Sequence, residues 1–105
     1  MYTLTTIFAD RREDQVDLFE EEPPLEYYHT QLETDIMETV PYFTTYGDAP
    51  CVAFCDEEGK YKDREINFWA NVHWFTCAPN MRGRDILVGN VVVITADDPA
   101  MLRRL

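Results

Sequence analysis

The sequence predicts an α+β domain: a small antiparallel or mixed sheet packed against one main helix, with a short aromatic helix and a C-terminal helical turn. Three observations carry this. β-Branched and aromatic residues alternate from Tyr2 to Ala9, the period of a strand. Apolar residues at Leu25, Tyr28, Leu32, Ile36 and Val40 recur in steps of three and four, the stripe of an amphipathic helix. A chain of 105 residues with 46% hydrophobic content is one domain's worth and carries enough apolar material for a core.

Taken in order, Tyr2–Ala9 forms the first strand and Asp10–Asp14 a polar turn. Gln15–Glu21 returns as a second strand with Val16 and Leu18 on one face, a short helix being the competing reading. Pro23-Pro24 ends that element and opens the next, since proline suits the first helical position. The main helix runs from Leu25 to Val40 and Pro41 closes it. Thr30 and Glu33 offer a capping box that would start it later. Cys51–Cys55 is a short apolar strand, Asp56–Gly59 a turn with glycine where positive φ is wanted, and Lys60–Ile66 an antiparallel partner. Asn67 caps an aromatic helix, Phe68–Phe75. Ile86–Thr95 is a β segment broken at Gly89-Asn90 as a hairpin or a bulge, and Asp97-Asp98-Pro99 caps a last turn ending in Arg103-Arg104.

Charge is the strongest compositional signal. Twenty acidic residues against nine basic give a net of −11, and residues 1–50 hold twelve acids but only two bases. Between Glu13 and Glu38 there are ten acids and no base. Affinity for a phosphate backbone comes from Lys and Arg, so direct nucleic-acid binding is disfavoured. No apolar run approaches the ~20 residues of a membrane span, and the N-terminus lacks the basic region of a signal peptide. Three cysteines, an odd number in a chain with a sufficient core, read as reduced thiols in a cytoplasm.

Cys51, Cys55, His73 and Cys77 match zinc's ligand count, but the first pair sits in an apolar strand without a knuckle turn, which favours inert buried thiols and no metal. A Cys–His nucleophile lacks any local signature, and no phosphate or oxyanion loop stands beside the many carboxylates, so an enzyme is not expected. The aromatic helix is different. Trp69 and Trp74 offer ring faces, Asn67, Asn71 and His73 offer hydrogen-bonding groups, and Lys60, Arg64, Arg82 and Arg84 offer charge for a phosphate. Docking of Phe68, Val72 and Phe75 on the sheet is the structural alternative for part of this cluster.

The run Asp56-Glu57-Glu58-Gly59-Lys60, the pair Asn67 and Ala70, and the run Asp85–Val93 with its Gly89-Asn90 interruption resemble a family of small phage- and plasmid-borne domains, domain of unknown function 3846. The resemblance covers roughly residues 25–95 of a single domain over 1–105. It leaves an acidic N-terminal extension, 1–24, and an aromatic insert, Val72–Arg84, outside the pattern. It implies a mobile-element origin and no reaction.

Two functions follow as expectations. The first is a non-enzymatic protein of a phage or mobile element that counteracts host defence by sequestering a nucleotide-derived signal, working as a homo-oligomer in the bacterial cytoplasm without a cofactor. The alternative is an acidic inhibitor that imitates nucleic acid and binds a basic host defence protein. It would use Asp17, Glu20, Glu21, Glu22, Glu26 and Glu33, with Glu20 and Glu22 spaced ~6.8 Å apart along a strand, near the phosphate repeat.

Overall fold

The computed structural model describes all 105 residues apart from the side chain of Arg104. Its elements are β1 (Tyr2–Ile7), β2 (Gln15–Phe19), α1 (Leu25–Leu32), β3 (Met37–Thr39), β4 (Thr45–Tyr46), β5 (Ala49–Pro50), β6 (Val52–Asp56), α2 (Phe68–Cys77) and β7 (Val91–Ala96). Short 3-10 turns follow at Pro79–Met81 and Pro99–Arg104. The main sheet is antiparallel throughout, in the order β2-β1-β7-β6-β3, and β4 and β5 form a separate two-stranded ribbon. Residues 1–24, acidic as they are, thus supply two of the five strands, and β1 lies inside the sheet.

Strand alternation sends successive side chains to opposite faces, and each face has its own helix. Tyr2, Leu4, Phe54, Val92 and Ile94 pack with Tyr28 and Leu32 of α1. Ile7, Ala53, Cys55, Val91 and Val93 pack with Ala70 and Trp74 of α2. The chain is therefore an α+β fold with helices packed on its sheet. No helix among the described residues is long and apolar enough to cross a membrane.

Several expectations are met. The β1–β2 hairpin forms with Tyr2 opposite Phe19 and Thr6 opposite Gln15. Asn67 accepts a hydrogen bond from the Ala70 amide and caps α2, and Asp98 accepts one from the Ala100 amide and caps the final turn. Others need correction. The main helix stops at Leu32 and not at Val40, because Glu33 turns left-handed (φ 57°) and the chain then pairs Met37–Thr39 with β6. Pro24 is the cap and not the first helical residue, and Thr30 lies within the helix, so no capping box forms.

Lys60–Ile66 is not a strand. The edge of β6 is occupied by β3 and β7, and the segment coils so that Lys62 and Arg64 reach back to Asp56. Gly59 does not adopt positive φ; a Cβ there would instead crowd Val88, standing 3.0 Å from its Cγ2. Ahead of Gly89 (φ 73°), the expected strand is reduced to one bridge between Ile66 and Val88. Glu20–Glu22 lie in the bend after β2, so the spacing that a strand would impose on Glu20 and Glu22 does not apply.

Candidate interaction surface on the aromatic helix

α2 is apolar on two sides. Asn67, Ala70, Asn71 and Trp74 follow i, i+3, i+4 and i+7, the spacing of one helical stripe, and all four are buried. The opposite side carries Phe68, Trp69 and Val72, which are 43%, 49% and 41% exposed, with Phe75 half-buried beside them. A helix that is hydrophobic all round is normally enclosed. Here the sheet encloses only one side.

The inner side is committed to structure. Asn67 Nδ2 donates to the carbonyls of Ile7 (2.8 Å) and Gly89 (2.9 Å). Asn71 Nδ2 donates to the carbonyls of Asn67 (2.8 Å) and Leu87 (2.9 Å), while its Oδ1 accepts from the Leu87 amide (2.8 Å). Trp74 is fully buried and donates through Nε1 to the Pro41 carbonyl at 2.9 Å. These three side chains join α2 to β1, to the segment after β3 and to the segment before β7. They have no group left for a ligand, which corrects their place in the expected nucleotide site.

Two of the expected cations are likewise engaged. Lys60 pairs with Asp85. Arg64 Nε donates to Asp56 at 2.8 Å and its Nη2 to the Glu33 carbonyl at 2.7 Å. His73 is half-buried, edge-on to Tyr46 with ring centroids 4.8 Å apart. Arg84 lines a separate hollow with Tyr42 and Cys77. Of the nine expected ligand residues, Trp69 lies on the outward face of α2, and Arg82 and Asn71 line the groove beside it.

That face borders an open groove of about 400 Å³ lined by Ile66, Phe68, Val72, Phe75, Ile86 and Arg82, with Asn71 at its base. The Arg11 guanidinium lies 4.6 Å from the Phe68 ring centroid, a cation–π contact. Among the described residues, Arg11 and Arg82 have no carboxylate within ion-pairing distance. An apolar groove flanked by two free guanidinium groups is thus the least typical surface of a chain with net charge −11. Sequence reasoning missed Ile66 and Ile86, which line the groove, and Arg11, which reaches the Phe68 ring at its edge. Arg11 and Ile86 lie far in sequence from Phe68, whereas Ile66 is only two positions away.

The acidic residues of the alternative reading do not form one patch of free carboxylates. Asp17 accepts from the Tyr27 hydroxyl at 2.7 Å and from Gln15 at 2.8 Å. Glu33 supplies its backbone carbonyl and its carboxylate to Arg64. Glu20, Glu21, Glu22 and Glu26 are exposed.

The four residues that match zinc's ligand count are dispersed. Cys51 Sγ faces the Phe43 carbonyl, Cys55 Sγ faces Glu38, and Cys77 Sγ faces the Tyr42 and Trp74 carbonyls. No group of three or more metal-ligating side chains converges among the described residues. Burial pushes the Cys51 and Cys55 thiols up to about 12, with nearby Glu38 and Asp56 adding to the shift at Cys55. Since the thiolate is the reactive form, we expect a thiol reagent such as Ellman's to modify only the half-buried Cys77 rapidly at pH 8. All three should react in denaturant. Three fast thiols in the native protein would contradict this arrangement.

A family model described as Domain of unknown function (DUF3846) matches residues 6–101 of this chain. No curated protein and no solved structure matches. The match reaches beyond the 25–95 core on both sides and takes in most of the hairpin and all of α2. The short motifs behind the resemblance have structural roles here. Asp56 anchors the loop to Arg64, Gly59 admits Val88, and Asn67 with Ala70 starts α2.

Proposed function

This chain belongs to the family described as domain of unknown function DUF3846, and from that premise we propose that it is a non-enzymatic binding protein whose binding surface is the outward face of α2. The observation that carries this reading is the exposure of Phe68, Trp69 and Val72 on a helix whose inner face is already filled. The groove walls are aliphatic and aromatic, and Asn71 at its base has its hydrogen bonds satisfied, so a base edge would find no reader there. Apolar side chains of a polypeptide suit it better. Arg11 and Arg82 add charge complementarity for carboxylates beside those anchors. The proposed occupant is therefore a helical or extended peptide segment with two or three apolar anchors flanked by Asp or Glu. For the setting we keep the mobile-element reading, a counter-defence protein acting in a bacterial cytoplasm, which is supported by the sequence resemblance alone.

Selection from a displayed random-peptide library tests the surface. Enriched peptides should carry aromatic or aliphatic anchors with acidic flanks. Trp69→Ala should weaken them by on the order of 2 kcal/mol, about thirty-fold in Kd, as truncation of an interface tryptophan does. The melting temperature should move little, because Trp69 is half exposed. Failure to enrich, or equal binding by Trp69→Ala and Val72→Glu variants, would remove the proposal. Two further results would redirect it. Dimerisation abolished by Val72→Glu in sedimentation would make a second copy the occupant. Stabilisation by cyclic dinucleotides or ADP-ribose derivatives, lost in Trp69→Ala, would restore a nucleotide-derived signal.

A further inference from the structure

The outer edge of β2 is a different surface with a different chemistry. β2 ends the order β2-β1-β7-β6-β3, so it pairs with β1 on one side and with no described strand on the other. An exposed edge is a template for another strand, and proteins commonly protect such edges with lysine, proline, a bulge or a covering loop. Gln15-Val16-Asp17-Leu18-Phe19 contains neither lysine nor proline, and its register with β1 runs unbroken over all five residues.

Its two faces are unlike. Toward α1, Phe19 packs edge-on against Tyr27 with ring centroids 4.9 Å apart, and Asp17 holds the Tyr27 hydroxyl. These contacts fix the strand in place. On the other face Val16 and Leu18 stand opposite Thr5 and Thr3, and they are 56% and 63% exposed because α2 packs over β6 and β7 instead. The edge is therefore a pre-formed strand with two bare apolar side chains.

Charge identifies the occupant. Glu13 and Asp14 precede the strand, Glu20, Glu21 and Glu22 follow it, all are exposed, and no basic residue occurs between Glu13 and Glu38. A second copy added antiparallel through β2 would set Glu20–Glu22 of one chain beside Glu13 and Asp14 of the other, and like charges so placed repel. A basic strand meets the opposite situation. We infer that the β2 edge takes an extended, basic polypeptide segment as a sixth strand, with alternate apolar residues beside Val16 and Leu18 and with lysine or arginine at both ends.

A nine-residue peptide with an alternating valine–threonine centre and two lysines at each end is the probe. Amide exchange within residues 15–19 should slow at least tenfold at alternate positions when it binds, since only every second amide of an edge strand points outward. N-methylation of alternate peptide residues should abolish both binding and protection. Replacing the lysines by glutamates should abolish binding, and affinity should fall with salt. The Val16→Lys/Leu18→Lys variant should lose binding while melting as the parent does. Binding that survives N-methylation would mean charge attraction without strand addition and would overturn the inference. So would an absence of protection in 15–19, or protection that appears without peptide as protein concentration rises, which would indicate self-pairing.

Discussion

Asn67→Ala will lower the melting temperature by roughly 15 °C. The side chain caps α2 through the Ala70 amide and gives both of its donors to buried backbone carbonyls, Ile7 at the end of β1 and Gly89 before β7. Loss of the cap alone costs about 1 kcal/mol. Two carbonyls left without donors at a fully buried site add at least ~1 kcal/mol each, for a total of about 3 kcal/mol. For a domain of this size each kcal/mol moves the midpoint by about 5 °C. Asn67→Asp separates the two contributions, because it keeps the acceptor for Ala70 and places a carboxylate against two carbonyls. It should be as destabilising as alanine at neutral pH and recover in acid, when the new carboxyl gains a proton to donate. Thermal melts of both variants at pH 4 and pH 7 decide this, and an alanine variant melting within 3 °C of the parent would show that the network is dispensable.

Asp56→Ala will be comparably severe, by way of charge. The Asp56 side chain is 1% exposed and accepts from Lys62 Nζ (3.0 Å), Arg64 Nε (2.8 Å) and the Glu58 amide (2.9 Å). Breaking a buried pair by removing one partner costs about 3–5 kcal/mol. Lys62 is 38% exposed and Arg64 20%, so water reclaims part of that loss and ~3 kcal/mol is the expected size. Burial pushes the Asp56 carboxyl up, yet the hydrogen bonds from Lys62, Glu58 and Arg64 outweigh it and hold the group below its ordinary value of 3.8. A carboxylate depressed in the folded state stabilises the fold above its unfolded pKa, near 3.9. That contribution is lost as pH falls below it toward the folded pKa. The parent should therefore lose stability steeply below pH 4, and Asp56→Asn should lose less over the same range. Parallel acid profiles for the two would show that Asp56 does not set the acid limit.

What was legible in the sequence was local. The β1–β2 hairpin shows in its alternation, and Asn67 and Asp98 show as caps because a cap is defined by residues within three or four positions. The overrun of α1 has a clear cause. Ile36 and Val40 continue the helical period beyond Leu32, but residues 37–39 gain more by pairing with β6, which lies far along the chain. Lys60–Ile66 departs from the expected strand for a related reason, since its Lys62 and Arg64 turn back to the buried Asp56 carboxylate. At the site, the aromatic cluster is visible as a run of rings, and its sidedness shows only when the polar positions are read with it. The stripe formed by positions 67, 70, 71 and 74 does reveal which side of α2 faces the sheet, and hence that Trp74 is core and Trp69 is surface. Arg11 is harder to foresee, because only the closed fold brings the β1–β2 turn to Phe68.

The adjacency of β1 and β7 bears on how the molecule is made. Tyr2 pairs with Ala96, the Tyr2 hydroxyl donates to the Met101 carbonyl, and the Asp97 amide donates to the Met1 carbonyl. On the ribosome, β1 emerges well before β7 and must wait for it before the sheet has a centre. Until then the hairpin and the β3–β6 pair are two half-sheets with raw inner edges, the state in which a chain is most exposed to chaperones and to aggregation. The same closeness makes the two ends joinable. A circular permutant opened in the exposed turn at Gly47-Asp48 would emerge with β7 and β1 joined by a short link, turning the slowest contact of the native order into a local one.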